Sequence, residues 1–383
     1  MNFLSTSKGA PLSGGKKERV AGPELLRIVC MLMILTSHFF VHGKVLGSLA
    51  PRDVNFHIGW FIEACCYVMV NCFVLITGYY QSQSKFRLSK FFLLWGQVVA
   101  ISGGIWLALW ALGKAEFSWS ALYTVFTPIT GTRYWFATAY LFLYALSPLI
   151  NFGLDRADRK QHLYACAALW GLFVVWRNLT YWLDFANLHG GYSYTSFVVL
   201  YVTAAYLRKY PPKKRRWLAW YFLLSAVTAL SRILMTVLYY HKNGSFDSSY
   251  LKMFMQYNSI TVELASVCLF LFFVNLNIKG RVPRALIGFF APLTFGVYLI
   301  HEHRDLRDPI WNTLKPWEYA RSPKLFWMLP ATVVSLFLIC ALLEYVRRLL
   351  SRLFRIPKLF GAASDKLCSV FRRLMQRFLP PEE

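Results

Sequence analysis

Two side chains in the stretch PELLRIVCMLMILTSHFF, Arg27 and His38, have the chemistry and the spacing to work as a pair. Eleven positions separate them. At about 100° per residue that is three turns plus roughly 20°, so on a helix both leave from one face, about 16 Å apart along the axis. A guanidinium holds phosphate or carboxylate oxygens through forked, charge-assisted hydrogen bonds. An imidazole near neutral pKa takes a proton from an attacking hydroxyl. Glu24 precedes Arg27 by three residues and is its natural ion-pair partner on the same side of the helix. Each has a plainer reading: Arg27 snorkels to lipid headgroups, and His38 makes an interhelical hydrogen bond. A further histidine, His301, closes the later apolar run GVYLIHEH.

The element that carries the pair is set by composition. The chain has 383 residues, 57% of them hydrophobic, 18% aromatic and only 16% charged. Soluble domains run about 45–50% apolar and about 25% charged, which excludes a soluble enzyme, a disordered chain and a secreted disulfide scaffold. A spanning helix needs roughly 20 mostly apolar residues. Ten segments are expected to cross: 24–42, 58–80, 91–112, 134–153, 162–182, 193–208, 217–240, 258–276, 285–301 and 326–346. The fold class is thus an all-α polytopic membrane protein of about ten transmembrane helices. Residues 1–23 read as a flexible basic tail, 24–346 as the membrane domain and 347–383 as a basic amphipathic tail lying on the anionic inner leaflet.

Basic residues orient the chain. With the N-terminus inside, the inner segments hold 28 of the 42 Lys and Arg and the outer loops 11, so both termini are expected in the cytoplasm. The net charge of +24 is then mainly a topology signal, and nucleic acid is not an expected partner. Arg27 falls near the cytoplasmic boundary and His38 deeper, toward the outer half. That suits a ligand with an anionic end in the cytoplasm and a long uncharged arm reaching into the membrane, the shape of a coenzyme A thioester.

Other groups are less directive. Glu63, Asn71, Arg177, Arg232 and Glu263 fall at membrane depth and must find partners, Glu263 with Arg177 or Arg232 among the pairings open to it. The loop 302–325 carries five basic residues with Trp311 and Trp317. It reads either as a headgroup-anchored interfacial segment or as a surface meeting an anionic or sugar polymer. Seven of the eight cysteines lie in apolar runs and none is spaced C-x-x-C, so no metal is expected. Phosphate loops, H-E-x-x-H and G-x-S-x-G motifs are missing from the sequence.

Four blocks, in order, resemble the membrane acyltransferase-3 family, the O-acyltransferases of bacterial surface glycans. They are the Glu24, Arg27 and His38 pattern; NCFVLITGYY, with Thr77 before Gly78; YWFATAYLFLYALSPLIN, through Trp135, Phe136, Tyr140, Tyr144 and Pro148; and GVYLIHEH, through Tyr298 and His301. The basic stretch SKFRLSKF after the second block is thinner than in the family, and no extracellular esterase-like module follows the last helix. The resemblance implies a multi-pass protein of the bacterial inner membrane that moves an acetyl or other short acyl group from acetyl-CoA. The acceptor would be a hydroxyl of an envelope polysaccharide or its lipid-linked precursor. It implies that Arg27, with Lys85 and Arg87, binds the donor, that Glu24 orients Arg27, and that His38 is general base or transient acyl carrier, with His301 assisting. A transporter or flippase of envelope glycan is the competing class, and a non-catalytic scaffold the next.

Overall fold

The computed structural model describes residues 20–127, 134–181, 183, 188–213, 215–244 and 254–378; most of the expected N-terminal tail, residues 1–19, lies outside them. Among the described residues the regular structure is entirely helical. In chain order the α-helices are α1 Ala21–Val41, α2 Val54–Cys66, α3 Met69–Gln81, α4 Leu88–Ala111, α5 Trp119–Phe126, α6 Trp135–Arg156, α7 Arg159–Trp170 and α8 Arg177–Leu179. They continue with α9 Tyr194–Lys209, α10 Trp217–Asn243, α11 Ile260–Val274, α12 Arg281–Phe290, α13 Thr294–His301, α14 Arg304–Leu314, α15 Leu325–Leu353 and α16 Ile356–Phe378.

Among the described residues, seven segments are helical, long and apolar enough to cross a bilayer: Ala21–Ser48, Val54–Gln81, Leu88–Ala111, Trp135–Arg156, Trp217–Asn243, Arg281–His301 and Leu325–Leu353. Each overlaps one of the ten expected crossings, and five of the seven contain theirs whole. Of the other three, two are shorter helices and the third is interrupted. Tyr194–Lys209 has 16 residues and Ile260–Val274 has 15, and α7 passes through a π-helical stretch, Gly171–Trp176, before α8. α9 and α11 are sheathed by protein, with Leu200, Tyr201, Ala204, Val262, Ala265 and Phe270 buried.

α10 and α15 show the opposite pattern. Leu223, Val227, Leu230, Leu234 and Leu238 run down one exposed face of α10, and Leu338, Leu342 and Val346 down one of α15. A continuous apolar stripe of this length is a surface built for hydrocarbon. The chain is a helical membrane protein.

α1 sits at the centre, against α2, α3, α11, α12, α13 and α15. Pro23 and Glu24 occupy its first turn, where a missing N–H costs nothing and a carboxylate favours the helix dipole. α3 packs so closely on α9 that a Cβ at Gly78 would stand 2.7 Å from the Tyr201 carbonyl oxygen. That contact explains why glycine follows Thr77.

Several buried groups find partners the sequence did not single out. Arg177 donates to the Tyr181 carbonyl at 2.6 Å, and the Arg232 guanidinium lies 4.4 Å over the Trp60 ring, so neither pairs with Glu263. Ser37 donates to Glu63 at 2.6 Å, and Asn71 to the Tyr257 carbonyl at 2.7 Å. Within the expected loop 302–325, Trp311 of α14 is buried edge-on against Phe39 of α1. It serves as packing for the end of α1, and neither reading of that loop fits this tryptophan.

Candidate active site

One cavity of about 720 Å³ runs along α1. Glu24, Arg27, Ile34, His38 and His42 line it from that helix, which is the single face that the helical repeat requires. Thr77 and Tyr80 of α3, Trp135, Phe136 and Tyr140 of α6, and Tyr298 of α13 form its walls. Residues from all four sequence blocks therefore converge on one space, although the blocks are spread over nearly 280 positions of the chain.

Around Arg27 the cavity is cationic. Arg27 lies 3.8 Å from Glu24, an ion pair one turn long. Lys90, from the first turn of α4, and Arg348, from the last turns of α15, also line the wall. Arg348 is held by Glu344, which is fully buried, at 3.5 Å. Arg347 grips the same carboxylate at 2.7 and 2.8 Å, and Gln97 donates to it at 3.3 Å. A carboxylate so thoroughly paired is fixed, and so is the arginine it carries into the cavity.

The other end is an imidazole cluster. His38 Nδ1 stands 3.0 Å from His301 Nε2, and His301 Nδ1 is 2.7 Å from the Val297 carbonyl oxygen. A carbonyl only accepts, so His301 carries its proton on Nδ1 and offers a lone pair at Nε2. His38 must then donate from Nδ1, which leaves its Nε2 as the basic nitrogen. Glu302 Oε2 is 3.2 Å from His38 Nδ1 and 3.8 Å from His42 Nε2. Arg307 donates to the other oxygen of Glu302 at 3.1 Å. Burial pushes the Glu302 carboxyl up to about 7, although Arg307 pulls it down.

The structure thus brings Glu24, Arg27 and His38 to one cavity and sets His301 behind His38, against it but outside the lining. Lys85 and Arg87 stand exposed and do not line the cavity. The Arg87 backbone instead exchanges hydrogen bonds with the Tyr144 hydroxyl at 3.2 and 3.1 Å. Sequence reasoning passed over His42, Glu302, Arg307, Lys90 and Arg348. His42 had a signal, one turn beyond His38, and Lys90 lay one turn beyond Arg87. Glu302 had only its place beside His301, and Arg348 was read as part of the anchoring tail.

The expectation of no metal meets a finding of its own. His38, His42 and Glu302 offer three ligand atoms all within 4.8 Å of one another.

No curated protein and no solved structure matches the chain. Residues 20–345 match the acyltransferase domain that defines the acyltransferase-3 family. That stretch is most of the chain and contains Glu24, Arg27, His38 and His301 together with every wall of the cavity except Arg348. The protein is a member of the acyltransferase-3 family of membrane acyltransferases.

Proposed function

We propose that the protein moves an acetyl or other short acyl group from acetyl-CoA to a hydroxyl of a bacterial cell-envelope polysaccharide or its lipid-linked precursor. It would do so in the cytoplasmic (inner) membrane, with both termini in the cytoplasm and about ten crossings. The observation that carries this reading is the single cavity with guanidinium groups at one end and a basic imidazole at the other. Arg27, Lys90 and Arg348 would hold the phosphates of the donor, and the apolar and aromatic walls would accept its uncharged arm. The thioester would then lie near His38.

His38 Nε2 takes the proton of the acceptor hydroxyl as its oxygen attacks the thioester carbonyl carbon. The carbon–sulfur bond then breaks, and the thiolate leaves with that proton returned from the imidazolium. Glu302, beside Nδ1, lowers the energy of the imidazolium in between, and His301 keeps His38 in the tautomer that presents Nε2. Because the hydrogen bond to His301 leaves Nε2 of His38 as the free basic nitrogen facing the cavity, base catalysis is the role assigned to it here. Glu24 orients Arg27.

Membranes containing the protein, supplied with labelled acetyl-CoA, are expected to transfer label to an envelope glycan. Label staying in the donor would overturn the proposal. In a deletion strain, glycan that is exported without acetyl groups is expected; missing glycan would point to transport instead.

The reading also fixes a pH dependence. Glu302 supports the imidazolium only as a carboxylate, so transfer should fall as the pH drops through about 7. Arg307→Ala removes the cation that holds this carboxyl down, so the acid limb of the pH–rate profile should move to higher pH. Glu302→Gln should flatten that limb. A limb that stays in place in both variants would refute the assignment.

A further inference from the structure

Glu302 Oε2 is sealed from solvent and accepts no hydrogen bond from the described residues, yet two imidazole nitrogens stand 3.2 and 3.8 Å from it. Among the described residues His38 Nδ1 shares its hydrogen bond with a third imidazole, at 3.0 Å. Several lone pairs are therefore crowded around one proton. A tetrahedral ion with ligands at about 2.0–2.1 Å separates those ligands by roughly 3.3 Å; the two carboxylate–imidazole separations are 3.2 and 3.8 Å, in a group whose atoms all lie within 4.8 Å of one another, so a small contraction would close it on an ion.

The geometry points to a reversible binding site for a divalent transition-metal ion, Zn²⁺ above all, formed by His38 Nδ1, His42 Nε2 and Glu302 Oε2, with the fourth position open to the cavity. The ion takes the place of the proton on His38 Nδ1, and that proton leaves to solvent. Three features favour it. The donors come from the ends of α1 and α13, which packing holds together. Glu302 is already oriented by Arg307, as outer partners orient metal ligands elsewhere. The site opens into the cavity through His38, His42 and Glu302, which gives an ion a path in. Imidazole nitrogens with one carboxylate select Zn²⁺ or Co²⁺ over Mg²⁺ or Ca²⁺. Arg307, a positive charge on the second oxygen of Glu302, keeps the affinity moderate and the binding reversible.

Binding has a consequence that rests on the transferase reading. A neutral imidazole coordinated through Nδ1 must carry its proton on Nε2, so it can no longer act as a base. Zn²⁺ would switch the site off, and a chelator would switch it on again.

Binding is tested without the reaction. Untagged protein in detergent, stripped with a chelator, is titrated with Co²⁺ and followed by its visible d–d absorption. One equivalent should bind with a spectrum of low coordination number and be displaced by Zn²⁺. His42→Ala and Glu302→Gln should each weaken binding by at least about tenfold, the lower end of what disturbing a metal site costs, while eluting from a sizing column as the parent does. His57→Ala, on the exposed start of α2, should bind as the parent. Absence of the cobalt band, or equal binding by the His42 and Glu302 variants, overturns the site. Because the readout needs neither donor nor acceptor, these outcomes are independent of whether the protein transfers acetyl groups.

Discussion

His38→Ala should reduce acyl transfer by about 10²- to 10⁴-fold, the range that a positioned general base contributes, while the protein inserts and accumulates in the membrane normally. Both halves of that result follow from where the side chain sits. His38 is on the cavity face of α1, whereas the packing of that helix is carried by Leu26, Cys30, Met31, Leu35, Phe39 and Phe40, all fully buried. Removing an imidazole that faces open space takes nothing from that interface. It leaves His301 Nε2 without a donor and Glu302 without its nearest imidazole, two losses at the wall of a polar cavity where water can enter. Transfer can be read as acetyl content of surface glycan, and insertion as protein recovered from membranes. Full acetylation by the alanine variant would remove the base from the mechanism and make a scaffold role the better reading. His38→Gln separates shape from basicity: it can still donate a hydrogen bond but has no titratable nitrogen, and it should be as inactive as alanine.

How much of this was legible in the sequence depends on how local each feature is. The Arg27–His38 face needed only the helical repeat, and the cavity runs along that face. The contact between His38 and His301 needed two helix ends to meet across 263 positions, which no spacing rule supplies; the sequence offered His301 only as a histidine closing an apolar run, and Tyr298 only through the resemblance. Lys85 and Arg87 illustrate the limit more sharply. Their charge was read correctly as a basic stretch, but which cation turns inward depends on where α4 begins. Since α4 starts at Leu88, Lys90 lies in its first turn and reaches the wall. Arg348 was missed for a similar reason. α15 runs on to Leu353 as one unbroken helix, beyond the expected end at 346, and carries into the membrane domain an arginine assigned to the tail. The span lengths were harder still. α9 and α11 are short because protein, not lipid, surrounds them, and hydropathy alone does not distinguish the two surroundings.

Arg27→Ala should raise the acetyl-CoA KM by about 10- to 100-fold, the loss of one or two hydrogen bonds to charged groups at about 1.5–3 kcal/mol in all. The turnover number should change less, since the phosphates are far from the bond that breaks and are bound equally in ground and transition states. The distance sets that split. Eleven residues of helix place the guanidinium roughly 16 Å from the imidazole, too far to touch a thioester held at His38 but within the reach of its phosphate end. Arg27→Lys should recover part of the affinity, because an ammonium supplies the charge without the fork. Glu24→Gln should show a smaller KM effect, because Lys90 and Arg348 remain and the 3.8 Å pair orients the arginine without touching the donor. The opposite pattern, an unchanged KM with a collapsed turnover in Arg27→Ala, would place the guanidinium at the reacting carbonyl. The donor would then have to enter with its phosphates elsewhere, and the cationic end of the cavity would lose the role assigned to it.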